Sequence, residues 1–350
     1  MAQNQERDQR SLEARRREFI LRKKKEAEDL KKYGYYFIMK FVDLYKKYQP
    51  EVLHAYTTEV LHCIFFLGHM RKIEPTDFFE TNGLISKLQQ MFPDPFEKYK
   101  THLPTRTPFS IILDAIVHIK DNQHENKVMD CLVAFLKDVK LSKHDPDTKH
   151  QNHYTLEATV ICICHYEKTN IQRSNNFYGA SLSCKGKVEQ EVMIAVSCLE
   201  TWNAAVAHAV SLADNGGAIM LPKTVKCSAF KRNWRTDHYF GTPPCKKCIT
   251  IFQGPSFKPC QYKTDKEPKW PEWPYGNCAE TESLSKLLNA EPELYQQVKI
   301  LKNNSPANLE RVTVQNKAKQ ILVSKLEEKY YVTNGNEVQF QFFKPPPSPF

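Results

Sequence analysis

Apolar residues in the first third of the chain return at the helical period. Leu30, Tyr33, Phe37, Phe41, Leu44 and Tyr48 recur every three or four positions, which predicts one long helix over residues 11–48, ended by Pro50. The same period predicts helices over 51–70, 82–92, 108–120 and 125–140, the last carried by Val128, Leu132, Phe135, Leu136 and Val139. Prolines 75, 93, 95, 104 and 108 punctuate these segments. Residues 1–140 therefore read as an all-helical bundle.

The pattern lapses in "KLSKHDPDTKHQNH", which is polar, aperiodic and carries a proline, and this places a linker over 141–153. Beyond it, "YTLEATVICICHY", "NNFYGASLSC" and "VEQEVMIAVSC" are β-rich runs separated by turn-prone residues, and all three are predicted as strands. A helix follows in "LETWNAAVAHAVSLADN", stopped by Gly216 and Gly217, and then a short strand in "GAIMLP". Strand, strand, strand, helix, strand implies an α/β sheet domain with helices packed on it over 154–343. The tail 344–350 is proline-rich and expected to be extended. The expected class is α+β, a helical bundle followed by a sheet domain.

Composition adds the setting. The 350 residues suffice for two cores, and 41% hydrophobic with 26% charged residues is the balance of a soluble globular protein. No apolar run approaches the ~20 residues that span a bilayer. The chain is charged from Glu6 onward and has no apolar secretory core, so the expectation is a cytoplasmic or nuclear protein with no membrane partner. In a reducing compartment eleven cysteines argue against a disulfide framework. Nine of them lie between Cys162 and Cys278, so their use belongs to the second half. The net charge of +10 suits a nucleic-acid partner without specifying one. Much of it sits in "RRREFILRKKK" (15–25), where a solvated helix face, a nuclear-import patch and a phosphate-binding arm are the competing readings. The helical half has no phosphate loop and no metal-ligand spacing. His54, His62 and His69 read as packed or exposed rather than ligating, and a role in docking a protein partner is open to this half.

Two motifs carry candidate chemistry. In "TPPCKKCITIF", Cys245 and Cys248 are three apart, so at a helix start both thiols face one way, where exposed N–H groups favour the thiolate. Cys260 and Cys278 follow. All four cysteines would close a structural zinc site. Cys245, Cys248 and Cys278, with Glu280 beside an open position, would make a catalytic one. At about 100° per residue Glu280 shares a helix face with Leu284, Leu287 and Leu288, while Glu282 points the opposite way, towards water. For Cys278 and Glu280 to reach one metal, Cys278 must be a non-helical capping residue.

"YGNCAETESLSKLL" resembles the C-A-E helix start of the cytidine deaminase superfamily, "PPCKKC" resembles its P-C-x-x-C helix start, and the Gly-Ala pair of "NNFYGASLSCKGK" is similar to its early strand. The resemblance covers the second half only and implies a deaminase-like fold. It implies Zn2+ held by Cys245, Cys248 and Cys278, Glu280 as proton shuttle, and hydrolysis of an exocyclic amine on a nucleobase, nucleoside or single-stranded nucleic acid. Trp270, Trp273 and Tyr275 directly before the motif would supply an aromatic floor. The order is inverted, since the family's C-x-E helix precedes its P-C-x-x-C helix. Cys198 and Glu200 in "AVSCLETW" offer a second C-x-E in the family order. The alternative function is a catalytically inactive, zinc-stapled scaffold, closed by Cys260.

Overall fold

A computed structural model describes residues 2–48, 50–79, 82–120, 123–137, 154–169, 172–233, 236–260, 273–301, 311–330 and 340–345. The first half is helical as the periodicity requires. Helix α1 (Ala2–Lys47) buries the stripe Leu30, Tyr33, Phe37 and Phe41 against α2 (Pro50–His69). α3 (Asn82–Met91), the short α4 (Pro93–Lys98), strand β1 (His102–Leu103), α5 (Pro108–Lys120) and α6 (Glu125–Lys137) follow. The linker expected at 141–153 and the tail residues 346–350 lie outside the described residues.

The second half holds two small sheets. β2 (Val160–Tyr166) pairs antiparallel with β3 (Phe177–Ala180), and Cys162 lies opposite Gly179. Then come α7 (Lys187–Glu200), α8 (Ala204–Ser211), β4 (Ile219–Met220) and β5 (Val225–Asn233), which returns along the other edge of β2. β6 (His238–Gly241) runs antiparallel to the end of β5. α9 (Lys246–Ile251) leads into β7 (Phe252–Gln253) and β8 (Ser256–Lys258). β8 lies parallel to β5 and β7 parallel to β4, so this one strip joins the five-stranded and three-stranded sheets. α10 (Ala279–Ala290), α11 (Pro292–Tyr295), β9 (Lys299–Ile300), α12 (Arg311–Tyr330) and β10 (Gln341–Phe342) complete the chain. The class is mixed α+β.

One expected strand is a helix. "VEQEVMIAVSC" forms most of α7, and its apolar residues Val192, Met193, Ala195 and Val196 keep the i, i+1, i+3, i+4 spacing of a helix. α7 is covered on several sides, with α12 laid across it through Val314, Ala318, Leu322 and Leu326. A helix buried all round loses the polar face that reveals its period, and its β-branched residues then mimic a strand.

The hydrophobic core runs without interruption from the helices into the sheets. α5 packs on β3, and the seam carries part-buried charge. Arg106 lies between Glu59 and Asp114, while Lys286 of α10 reaches Asp114 at 2.6 Å and the Tyr178 carbonyl at 2.9 Å. The C-terminal segment also crosses over. β10 pairs with β1, and Phe343, 1% exposed, stacks on the His62 ring at 3.8 Å.

Candidate metal centre

Two helix starts converge. Cys245 is the N-cap of α9, in extended conformation, and its sulfur accepts the Cys248 N–H at 3.4 Å. Cys278 is the N-cap of α10, also extended (φ −85°, ψ 151°), as a shared metal requires. Gly276, at φ +90°, turns the chain into this cap; a Cβ there would meet the Trp202 ring and Val210 at 2.9 Å. The three sulfurs of Cys245, Cys248 and Cys278 lie within 4.8 Å of one another, and Cys245 and Cys278 are 3.3 Å apart. Thiolates on a tetrahedral ion with Zn–S bonds of about 2.3 Å are separated by ~3.8 Å, so the triangle has the size of one tetrahedral face. The group could hold a metal ion.

Charge favours this. The Cys245 thiol is driven well below the ordinary thiol range by hydrogen bonds from Cys248 and Cys278 and by N–H groups of α9, while Cys248 and Cys278 are raised. Without a cation the trio shares one negative charge, and a divalent ion lets all three ionise.

Glu280 faces the cluster from inside. It is 3% exposed, shares its buried face with Leu284, Leu287 and Leu288 as the helical spacing predicts, and follows Cys278 by two positions. Burial pushes its carboxyl up to about 8, with the Cys162 and Cys245 thiols adding to the effect.

The other expected participants are elsewhere. Cys260 is exposed and outside the cluster. Cys198 lies buried in the last turn of α7, where its sulfur accepts the Ser211 hydroxyl at 3.5 Å, and Glu200 approaches Lys344 at 4.0 Å. Glu282 does not point to water. It accepts from Ser110 and from the Ala180 N–H (2.8 Å) and pairs with Lys286 (2.9 Å), because α5 covers the face that a helix wheel leaves to solvent. Trp270 lies outside the described residues. Trp273 is 47% exposed, and Lys247 lies over the Tyr275 ring at 4.9 Å.

Sequence reasoning missed the wall behind Glu280. Cys164 of β2 touches Cys227 of β5 (2.8 Å) and the Ser283 hydroxyl of α10 (3.1 Å), with Cys162 3.8 Å away. Cys162 and Cys164 sit two apart, on one face of a strand, and that spacing is the only signal for it in the sequence. A cavity of about 50 Å³, lined in part by Trp202, Cys278, Glu282, Ser285 and Lys286, lies on the other side of α10. Among the described residues no helix is long and apolar enough to cross a membrane. No family model matches the chain, and no curated protein or solved structure matches it either.

Proposed function

We propose that the chain is a zinc-dependent, deaminase-like hydrolase that removes the exocyclic amine of a nucleobase, free or within a polynucleotide. One observation carries the reading: a buried carboxyl, Glu280, lies two residues beyond Cys278, beside three convergent thiols. A carboxyl on an apolar face costs free energy unless it has a partner or a task, and perturbed carboxyls cluster where protons move. Three protein ligands leave a fourth position, the pattern of catalytic rather than structural zinc, and Cys260 is not placed to fill it. Thiolate donors at tetrahedral spacing favour zinc over harder cations. Cys245, Cys248 and Cys278 would hold the zinc, which would supply Lewis acidity for hydrolysis. Glu280 would supply the proton traffic: a buried carboxyl beside the cluster is positioned to take a proton and pass it to the ring nitrogen and the departing amine in turn. The inverted motif order is no obstacle to this ligand set, since convergence of two helix starts does not depend on which comes first in the chain.

One observation favours the second reading, a metal-stapled scaffold without catalysis. The cavity touching Cys278 is about 50 Å³, room for a few waters rather than a purine or pyrimidine ring.

The test separates metal from chemistry. Purified protein should carry about one zinc per chain. Glu280→Gln should keep that zinc yet abolish deamination across cytidine, deoxycytidine, adenosine and single-stranded oligonucleotides, whereas Glu200→Gln leaves both intact. Activity lost with Glu200 and kept with Glu280 would overturn the assignment.

A further inference from the structure

Helix α1 begins outside the body of the protein. Residues 12–22 are exposed throughout, and the helix first meets the core at Glu26, Asp29 and Leu30. Its root is fixed: Glu26 is ion-paired with Arg71 at 2.7 Å, Arg71 pairs with Glu189 at 2.7 Å, and its guanidinium lies 4.6 Å over the Tyr154 ring. At about 1.5 Å per residue, the projecting stretch 12–25 is about 21 Å long.

The stretch holds seven cations, Arg15 to Arg17 and Arg22 to Lys25, against two acids, Glu13 and Glu18. Arg22 and Lys23 approach Glu26 at 4.0 and 3.3 Å, but among the described residues no acid pairs with Arg15, Arg16, Arg17, Lys24 or Lys25. At about 100° per residue the seven point all round the helix, with no gap wider than about 80°. A helix that lies on a membrane separates its cations from an apolar face. Here the exposed apolar residues Leu12, Phe19, Ile20 and Leu21 are interleaved with the cations, and Arg22 and Lys23 lie over the Phe19 ring at 5.4 and 5.8 Å. A rigid duplex could meet only one side of such a rod. A flexible polyanion can fold round it and neutralise every side, and a single strand also brings bases to stack on Phe19 and the arginines.

We propose that residues 12–25 are a nucleic-acid-binding arm that grips the phosphate backbone of a single strand without reading its sequence. The arm is independent of the metal centre and does not rest on the catalytic reading.

The experiment uses the full chain and a fluorescein-labelled oligothymidylate of about 20 nucleotides, followed by anisotropy across a salt series. Thymine has no exocyclic amine, so the outcome does not depend on deamination. Each phosphate contact on a single strand contributes about −0.7 to the slope of log K against log salt. Replacing Arg15, Arg16, Arg17, Lys24 and Lys25 by Gln should flatten the slope by about 3.5 and weaken binding at least tenfold at ~100 mM salt. Arg15→Lys, Arg16→Lys and Arg17→Lys together should keep both, which separates charge from folding. The proposal is overturned by wild type that fails to bind, by an unchanged slope in the five-site variant, or by wild type that prefers vesicles containing phosphatidylserine to the oligonucleotide.

Discussion

Gly179 is the point at which the sheet admits the helix that carries Cys278 and Glu280. A Cβ at this position would stand 2.5 Å from the Ala279 carbonyl oxygen and closer still to the Ser283 amide, an i, i+4 backbone pair at the start of α10. Gly179→Ala therefore sets a methyl group against backbone that has no rotamer to yield. Restoring ordinary contact, about 3.5 Å, needs α10 to retreat by about 1 Å. Overpacking costs about 1–3 kcal/mol, and the rigid obstacle places this case near 3 kcal/mol, or roughly 4 °C in Tm for a chain of this size. The same shift moves Cys278 against Cys245 and Cys248. Metal sites tolerate about 0.2 Å in ligand distance, so zinc affinity should fall about 10–100-fold, as it does when outer support is lost. Differential scanning fluorimetry and competition against a chromophoric chelator read the two effects. Gly83→Ala is the matched control: it makes the same chemical change near the start of α3, where nothing lies within 4 Å, and should gain a few tenths of a kcal/mol. Wild-type Tm and zinc affinity in Gly179→Ala would refute the close approach of α10 to β3.

Replacing Cys245 and Cys248 together by Ser should release the metal and lower the Tm, and a double variant that keeps one zinc by elemental analysis would rule out the cluster as its site. Phe343→Ala empties the place against His62 and should cost about 3–5 kcal/mol in denaturant unfolding, unlike a surface truncation. His62, fully buried, has its pKa lowered to about 3, chiefly by desolvation. The unfolded chain therefore binds a proton that the folded chain refuses, and stability present above about pH 6.5 is lost as pH falls towards about 3, roughly 2–3 kcal/mol of it by about pH 4.5. His62→Phe should flatten that loss between about pH 6.5 and 4.5; parallel stability curves for the two proteins would show that His62 is not its source.

Helices α1, α3 and α6 were legible because each keeps one polar face, and Pro50 and Pro108 mark where the more deeply buried α2 and α5 begin. The three-cysteine cluster that could hold a metal ion was legible because C-x-x-C at a helix start and C-A-E at another are local signals, and Glu280 was assigned inward from its helical neighbours alone. What escaped has nonlocal causes. β5 alternates buried and part-exposed residues from Val225 to Phe230, then changes phase at Lys231, and Cys227, Lys231 and Arg232 disguise the pattern. α12 was missed because its charged surface outweighs the four-residue stripe that grips α7. Glu282 was sent to solvent because nothing in its own helix announces α5. Neither the Cys164–Cys227 contact nor the seating of Phe343 on His62 can be read within any window of the chain, since each joins residues brought together only by the finished fold.

The docking of Phe343 and β10 onto the helical half also sets a schedule for biosynthesis. His62 and β1 are made early, but the residues that cover them follow roughly 280 and 240 positions later, and at ~5–20 residues per second that is an interval of about 12–56 s. Throughout it the nascent chain presents an imidazole without its stacking partner and the strand edge of His102 and Leu103 without its mate. A vectorially made protein with this topology cannot complete its first half first. The closing contact is delivered only with residues 341–343, and a chain that stops short of them leaves the His62 ring and the β1 edge uncovered.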